Sequence, residues 1–355
     1  MKFTKKVMMM HKIIDDTFIN KIKELLHQAR YHVYQTINST MTKTYWEIGR
    51  RIVEEEQGGK ERAKYGKAII KNLSRELTKE FGKGFSVDNL ENMRKFYLTY
   101  SKSETLSRKF QLTYGKGETV SNLFKLSWSH YIFLTRINNE DERNFYEIES
   151  IENSWSLREL KRQFNSGLFE RLLLSKDKSK IKELATKGQI IQNVSDLIKD
   201  PYILEFTGLP EQNNYSENDL EQKLIDKLEH FLLELGKGFA FVARQKRITI
   251  DEKHFKVDLV FYNRLLRCFV VVDLKIGELK HQDIGQMMMY VNYFDRQEKT
   301  EDENSTIGII LCKDKSKALV EMTLPKDNNQ IYASKYLTIL PNKEEFQRLL
   351  ESEDV

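Results

Sequence analysis

The sequence predicts an N-terminal all-α domain with a helix-turn-helix-like pair, followed by an α/β domain with a central mixed sheet flanked by helices. Three observations predict this. The four prolines (Pro201, Pro210, Pro325 and Pro341) all fall after residue 200, so helices run long in the first half. Apolar residues keep helical spacing over much of 17–174, whereas 239–275 is built from β-branched and aromatic runs. Charge divides the same way: residues 1–200 hold 37 Lys and Arg against 26 Asp and Glu, and residues 201–355 hold 21 against 27. The expected boundaries are a helical domain at 1–180, a linker region at 181–215 that the charged run LSKDKSKIKE (174–183) introduces, and a second domain at 216–355.

In chain order, residues 17–56 read as one or two amphipathic helices with Ile22, Leu25, Leu26, Val33, Ile37, Trp46, Ile48 and Ile52 on the apolar face. Gly58-Gly59 interrupts them, and a second helix spans 64–81 until Gly82-Lys83-Gly84. Ser86 caps the next helix, SVDNLENMRKFYLTY, with Asp88 in its first turn. Asn89, Asn92, Arg94 and Lys95 on that helix are candidate groove-reading residues; a plain helical hairpin is the alternative. Lys60, Arg62 and Lys64, around the glycine pair, are candidate phosphate contacts, without the spacing of a P-loop. Residues 103–126 read as a polar loop, and 156–174 as a helix. Beyond the linker come a helix at 217–235, strands at 239–250, 255–262 and 268–275, a helix near 281–296, strands near 306–312 and 331–340, and a last helix with Glu345, Phe346, Leu349 and Leu350.

The chemistry concentrates in KHFKVDLVFYNRLLRCFVVVDLK (253–275). Asp258 lies in one apolar run, and fifteen residues later the next run ends in Asp273-Leu274-Lys275. On a strand, Asp273 and Lys275 project to one face and Leu274 to the other. Two carboxylates close together repel each other unless a cation lies between them. Phosphodiester hydrolysis asks for oxygen ligands on a hard cation and a lysine that orients water or steadies charge. An acid, ten to twenty residues, then acid-any-lysine is the PD-(D/E)xK nuclease signature. Glu221 is the candidate acid from the preceding helix, with Glu217 and Glu229 as rivals; Gln286 is the candidate from the following helix. Arg244 and Gln245, on the neighbouring strand, are candidate contacts to the phosphates of the scissile strand.

The chain resembles the YhcG-like bacterial proteins, which join an uncharacterised helical domain to a C-terminal PD-(D/E)xK nuclease domain. The resemblance covers nearly the whole chain. It rests on residues 55–97, LSWSHYIFLTRI (126–137), residues 154–178, LEFTGLP (204–210), residues 220–245 and the run from Phe255 to Asp295. It implies a restriction-endonuclease-like fold and a DNA endonuclease dependent on Mg²⁺ or Mn²⁺, working in DNA metabolism or in defence against mobile elements. It maps the nuclease acids onto Glu221, Asp258 and Asp273, all metal ligands, the lysine onto Lys275 and the helix glutamine onto Gln286. Val257 departs from the proline of the superfamily name, and Asp273 stands where many relatives have glutamate. A catalytically silent DNA-binding or assembly scaffold that kept the fold is the alternative, and an RNA nuclease a third reading.

Composition fits an ordinary globular protein, 40% apolar and 31% charged, with a mean hydropathy of -0.58. No run approaches the ~18–20 apolar residues of a membrane helix. The start, MKFTKKVMMMHKIIDD, lacks a small-residue cleavage site, so a cytoplasmic protein is expected. Cys268 and Cys312 lack CxxC spacing and read as small core residues. DNA is the expected partner, and a homodimer or larger homo-oligomer suits one cutting site per chain.

Overall fold

Proline-free, helix-periodic sequence folds as expected into long helices. The structure, a computed structural model, describes residues 16–58, 62–101, 124–174, 181–211 and 215–340. Helix α1 (Asp16–Gly58) is a single helix of 43 residues that ends at the glycine pair. It is followed by α2 (Arg62–Phe81), α3 (Val87–Tyr100) and α4 (Trp128–Leu134). Ser86 caps α3, its hydroxyl accepting from Asn89 N at 3.3 Å. Phe96 is buried at the centre of an aromatic cluster with Tyr100, Phe124, Trp128 and Tyr131, ring centroids 5.0–5.4 Å away. Phe124 and Leu126 are buried, so the end of the expected 103–126 loop is core; 102–123 lie outside the described residues.

The chain divides into two units, 1–138 and 139–355. This differs from the boundary expected at 181–215. Helices α5 (Glu140–Glu152), α6 (Leu157–Asn165), α7 (Leu168–Leu174) and α8 (Ile181–Lys187) belong with the sheet. The reason is polar as well as apolar. Arg171 of α7 is fully buried and reaches Glu234 at 2.5 Å, and Arg162 of α6 reaches Glu205 at 2.6 Å. The expected linker also contributes a strand, β1 (Tyr202–Ile203), paired in parallel with the far edge of the sheet. Charge in 174–183 suggested a solvated tether; buried Leu184, Leu197, Tyr202 and Leu204 are the apolar anchors that outweigh it.

The sheet has the order β1-β6-β5-β4-β3-β2, with β2 (Phe239–Ile250), β3 (Lys253–Asn263), β4 (Cys268–Leu274), β5 (Ile307–Cys312) and β6 (Ile331–Leu337). The β2–β3 and β3–β4 pairs are antiparallel, and β4–β5 and β5–β6 are parallel. One layer packs α9 (Glu217–Asp226) and α10 (Leu228–Leu235) on Leu259, Phe261, Val270, Val272 and Leu274. The other packs α11 (His281–Tyr293) on Val257, Val260, Val271 and Ile310. Gly308 permits the close approach of α11: a Cβ there would sit 2.5 Å from Met287 Sδ. The expected helix 217–235 is broken at Lys227 (φ -120°), and no Gly or Pro marks the break. Helix α12 (Lys317–Thr323) was not expected; the helix expected around 345–350 lies outside the described residues. No described helix is long and apolar enough to cross a membrane. Both cysteines are buried, and burial pushes each thiol up to about 12.

Candidate active site

The acids meet where β2 and β3 turn over. Leu259 and Phe261 face the α9–α10 layer, but Val257, two residues from Leu259, faces the α11 layer. Side chains two apart on a regular strand share a face, so β3 reverses at Asp258. Across from it, Ala243 and Ile248, five apart, both meet the α11 layer. The register pairs Arg244 with Leu259 and Lys246 with Val257, which leaves Gln245 opposite Asp258. Gln245 has φ +47°, a left-handed conformation uncommon for a non-glycine residue and found where a site constrains the backbone. The irregularity re-aims both side chains, as bulges beside active sites do.

On the other side of Asp258 the β3–β4 ladder stops at Leu259–Val272. The Asp258 carboxylate then takes the next backbone donor, accepting from Leu274 N at 2.9 Å. Asp273 is buried (2% exposed) and Lys275 Nζ lies 2.7 Å from its Oδ2. Glu221 of α9 is 3% exposed, whereas Glu217 and Glu229 are exposed; the charge of Glu217 nevertheless reaches Asp273 and Lys275. Arg244 Nε lies 2.9 Å from Glu221 Oε1, and Arg244 also donates to Gln222 at 3.0 Å. Gln245 Nε2 donates to Glu221 Oε2 and, at 3.2 Å, to Asp258 Oδ1. Gln286 of α11 donates to Tyr290 Oη at 2.5 Å, and Tyr290 donates to Lys256 O at 2.9 Å.

Burial pushes the Asp273 carboxyl up to about 6 against the pull of Lys275, and the charge of Asp258 adds to the rise. Burial also raises Asp258, partly offset by the Leu274 N–H. Burial opposes the charge of Lys275, but Asp273, with Glu217 and Asp258 behind it, holds the ammonium above its ordinary value. The aspartates therefore titrate as a pair. With its proton favoured in the fold, the Asp273 carboxyl makes the native state bind more protons than the unfolded chain between about pH 4 and 6. That contribution to stability is present below the window and lost as pH rises through it. Asp273→Asn, which cannot titrate, should therefore gain on wild type by about 2 kcal/mol between pH 4 and 7 in metal-free buffer. Urea unfolding of both proteins at the two pH values reads this; a difference independent of pH would refute it.

Two carboxylate oxygens, Glu221 Oε1 and Asp273 Oδ2, are buried without a hydrogen bond of proper geometry. Each has a cationic side chain at ion-pair distance instead. Such oxygens suit a hard divalent cation, and Glu221, Asp258 and Asp273 are the residues that fit it. Among the described residues no three His, Cys, Asp or Glu side chains form a ready metal cage: Glu221 joins Asp258 only through the Gln245 amide.

The other expected contacts divide. Gln245 is part of the carboxylate cluster, while Arg244 is 41% exposed at its rim. In the helical unit the Asn89 amide donates to Gly84 O and accepts from Trp128 Nε1 at 2.9 Å. Arg94 pairs with Glu56 of α1 at 2.7 Å. Both side chains tie the helices of their own unit together. Asn92 is half-buried and Lys95 exposed. Lys60 lies outside the described residues, as do the side chains of Arg62 and Lys64. Sequence reasoning missed Tyr290; the available signal was its place four residues after Gln286, one turn along the same helix face.

A mixed sheet between helices, with an acid on one strand and acid-any-lysine ending the next, defines the PDDEXK class of nuclease domain. Residues 195–351 match the family described as the YhcG PDDEXK nuclease domain, and residues 21–171 match the DUF1016 N-terminal domain. A protein of Escherichia coli (strain K12) with the name "Putative nuclease YhcG" is 40% identical over 338 residues, covering 91% of this chain and 90% of that one. The chain belongs to the YhcG family. Among solved structures, a repair endonuclease from Pyrococcus abyssi matches with 17% identity and a TM-score of 0.26 over 37% of this chain and 50% of that one. A structure titled "EndoMS-dsDNA2 complex" matches with 17% identity and a TM-score of 0.24 over 34% of this chain and 46% of that one. These matches span half or less of those chains.

Proposed function

We propose that the protein is a DNA endonuclease dependent on a divalent cation, Mg²⁺ or Mn²⁺, held by Glu221, Asp258 and Asp273. The observation that carries this reading is the buried carboxylate set at the reversal of β3, with the Lys275 ammonium 2.7 Å from Asp273. Bound there, the cation supplies charge that polarises the phosphate and lowers the pKa of a water. Lys275, kept protonated by Asp273, orients that water or steadies negative charge as it develops. Asp258 is oriented by the Leu274 N–H and the Gln245 amide. Gln286 and Tyr290 brace the α11 side of the site against the backbone of Lys256. The basic balance of residues 1–200 supports a role for the helical part in docking on phosphates. Work in DNA metabolism or defence is the setting that such an activity fits.

The test is supercoiled plasmid, linear duplex and single-stranded RNA, each incubated with Mg²⁺, Mn²⁺ or EDTA. Cleavage of DNA that EDTA abolishes is expected. Nicked circles appearing before linear product would mean that single copies cut one strand at a time, and direct linearisation that two copies act together. Binding without cutting under every condition would leave a DNA-binding scaffold as the better reading, and preferred cleavage of RNA would replace the substrate.

A further inference from the structure

We propose that Gln245 is a positioning residue that keeps the cation seat closed, its amide N–H₂ competing with the metal for Glu221 and Asp258. This rests on the reading of these acids as metal ligands. One amide nitrogen donates to a carboxylate oxygen of each residue. The opposite amide orientation would set a carbonyl oxygen against two carboxylates, so the electrostatics dictate which end faces them. In this orientation the amide is a neutral stand-in for a cation. It joins two acids that would otherwise repel each other and satisfies part of their hydrogen bonding without a metal.

The backbone supports an assigned task. Gln245 holds φ +47° at the point where two strands reverse their faces. A local strain of this kind persists only where surrounding structure over-determines it. The same N–H₂ group that suits two bare carboxylates presents partial positive charge toward a cation. Loading the seat therefore requires the amide to leave these two hydrogen bonds, and their free energy is subtracted from the apparent metal affinity. This makes the protein stable without metal and raises the cation concentration at which the site fills.

Calorimetric titration with Mn²⁺, and melting with and without Mn²⁺, of wild type and Gln245→Met test this. Methionine keeps the length and removes the donor. The expected result is a lower metal-free Tm for the variant, about tenfold tighter Mn²⁺ binding and a larger rise in Tm on adding Mn²⁺. If Gln245→Met does not fold, Gln245→Asn takes its place with the same expectation, because asparagine tolerates a left-handed backbone and is too short to span both acids. Equal or weaker Mn²⁺ binding by the folded variant overturns the proposal, as does an unchanged metal-free Tm. Wild type that binds no divalent cation at all would instead bring down the metal-dependent reading on which it rests.

Discussion

Lys275→Met is expected to slow metal-dependent DNA cleavage by about 10²–10³-fold, the usual cost of removing one pre-positioned cationic or hydrogen-bonding group from a reacting centre. The ammonium has two tasks in the geometry. It stands 2.7 Å from Asp273 Oδ2, and it is the charge that opposes the rise of the Asp273 carboxyl, already at about 6. Without it, Asp273 holds its proton more tightly, so the variant should need a higher pH as well as turning over more slowly. Single-turnover cleavage of plasmid across pH 6 to 9, with Mn²⁺ affinity measured in parallel, separates the two contributions. A slow variant that binds Mn²⁺ as wild type does has lost a group acting on the reacting atoms. A variant that cleaves at the wild-type rate removes Lys275 from the site.

The largest stability effect is expected at Glu234, on the opposite side of the domain's logic. Glu234 is fully buried and accepts from Arg171 at 2.5 Å, from Arg162 at 3.3 Å and from Ile203 N at 3.0 Å. Lys199, also buried, donates to its backbone carbonyl. Burial alone would raise the Glu234 carboxyl; the three cations, Arg171 foremost, hold it down at about 2. Glu234→Gln leaves these cations buried without a counter-charge, a change that costs about 3–5 kcal/mol. The sign with pH follows from the depressed value. The contribution is present above the ordinary carboxylate range and is lost as pH falls through about 2. Urea unfolding at pH 7 should show the full loss, and the gap between variant and wild type should close toward pH 2. Arg171→Met combined with Glu234→Gln should recover part of the loss, because fewer buried charges are left unbalanced. A single variant as stable as wild type at pH 7 would show that the network is not what joins helices α6 and α7 to the sheet.

The joining role explains why the compact units divide earlier than the boundary expected from the sequence. A boundary is read from local composition, and 174–183 is locally polar. Arg162 and Arg171 look like solvated helix charges until Glu205 and Glu234, 43 and 63 residues further on, are brought to them. Residues 140–171 accordingly match the DUF1016 N-terminal family in sequence yet share a unit with the nuclease sheet.

The candidate site was legible in unequal parts. Asp258, Asp273 and Lys275 could be read directly, because strand alternation and an antiparallel pairing across a short connection are local rules. Glu221 was one of three candidate acids over 217–235, and of the three it alone is buried, Glu217 and Glu229 being exposed. Gln245 was expected to meet phosphate. Its part in the carboxylate cluster depends on a left-handed residue and a reversal of two strands, and no turn-forming residue announces either.

The sequence by itself determined the helical first half, the order of strands β2 to β6 with helix α11 between β4 and β5, and the acid-acid-lysine spacing. Each is a periodicity or a spacing, carried by residues close together along the chain. Only the tertiary structure decided which of the candidate acids is buried, what the Gln245 amide bonds to, and which helices belong with the sheet. Those depend on charges and surfaces tens of residues apart, whose burial sets both their partners and their protonation.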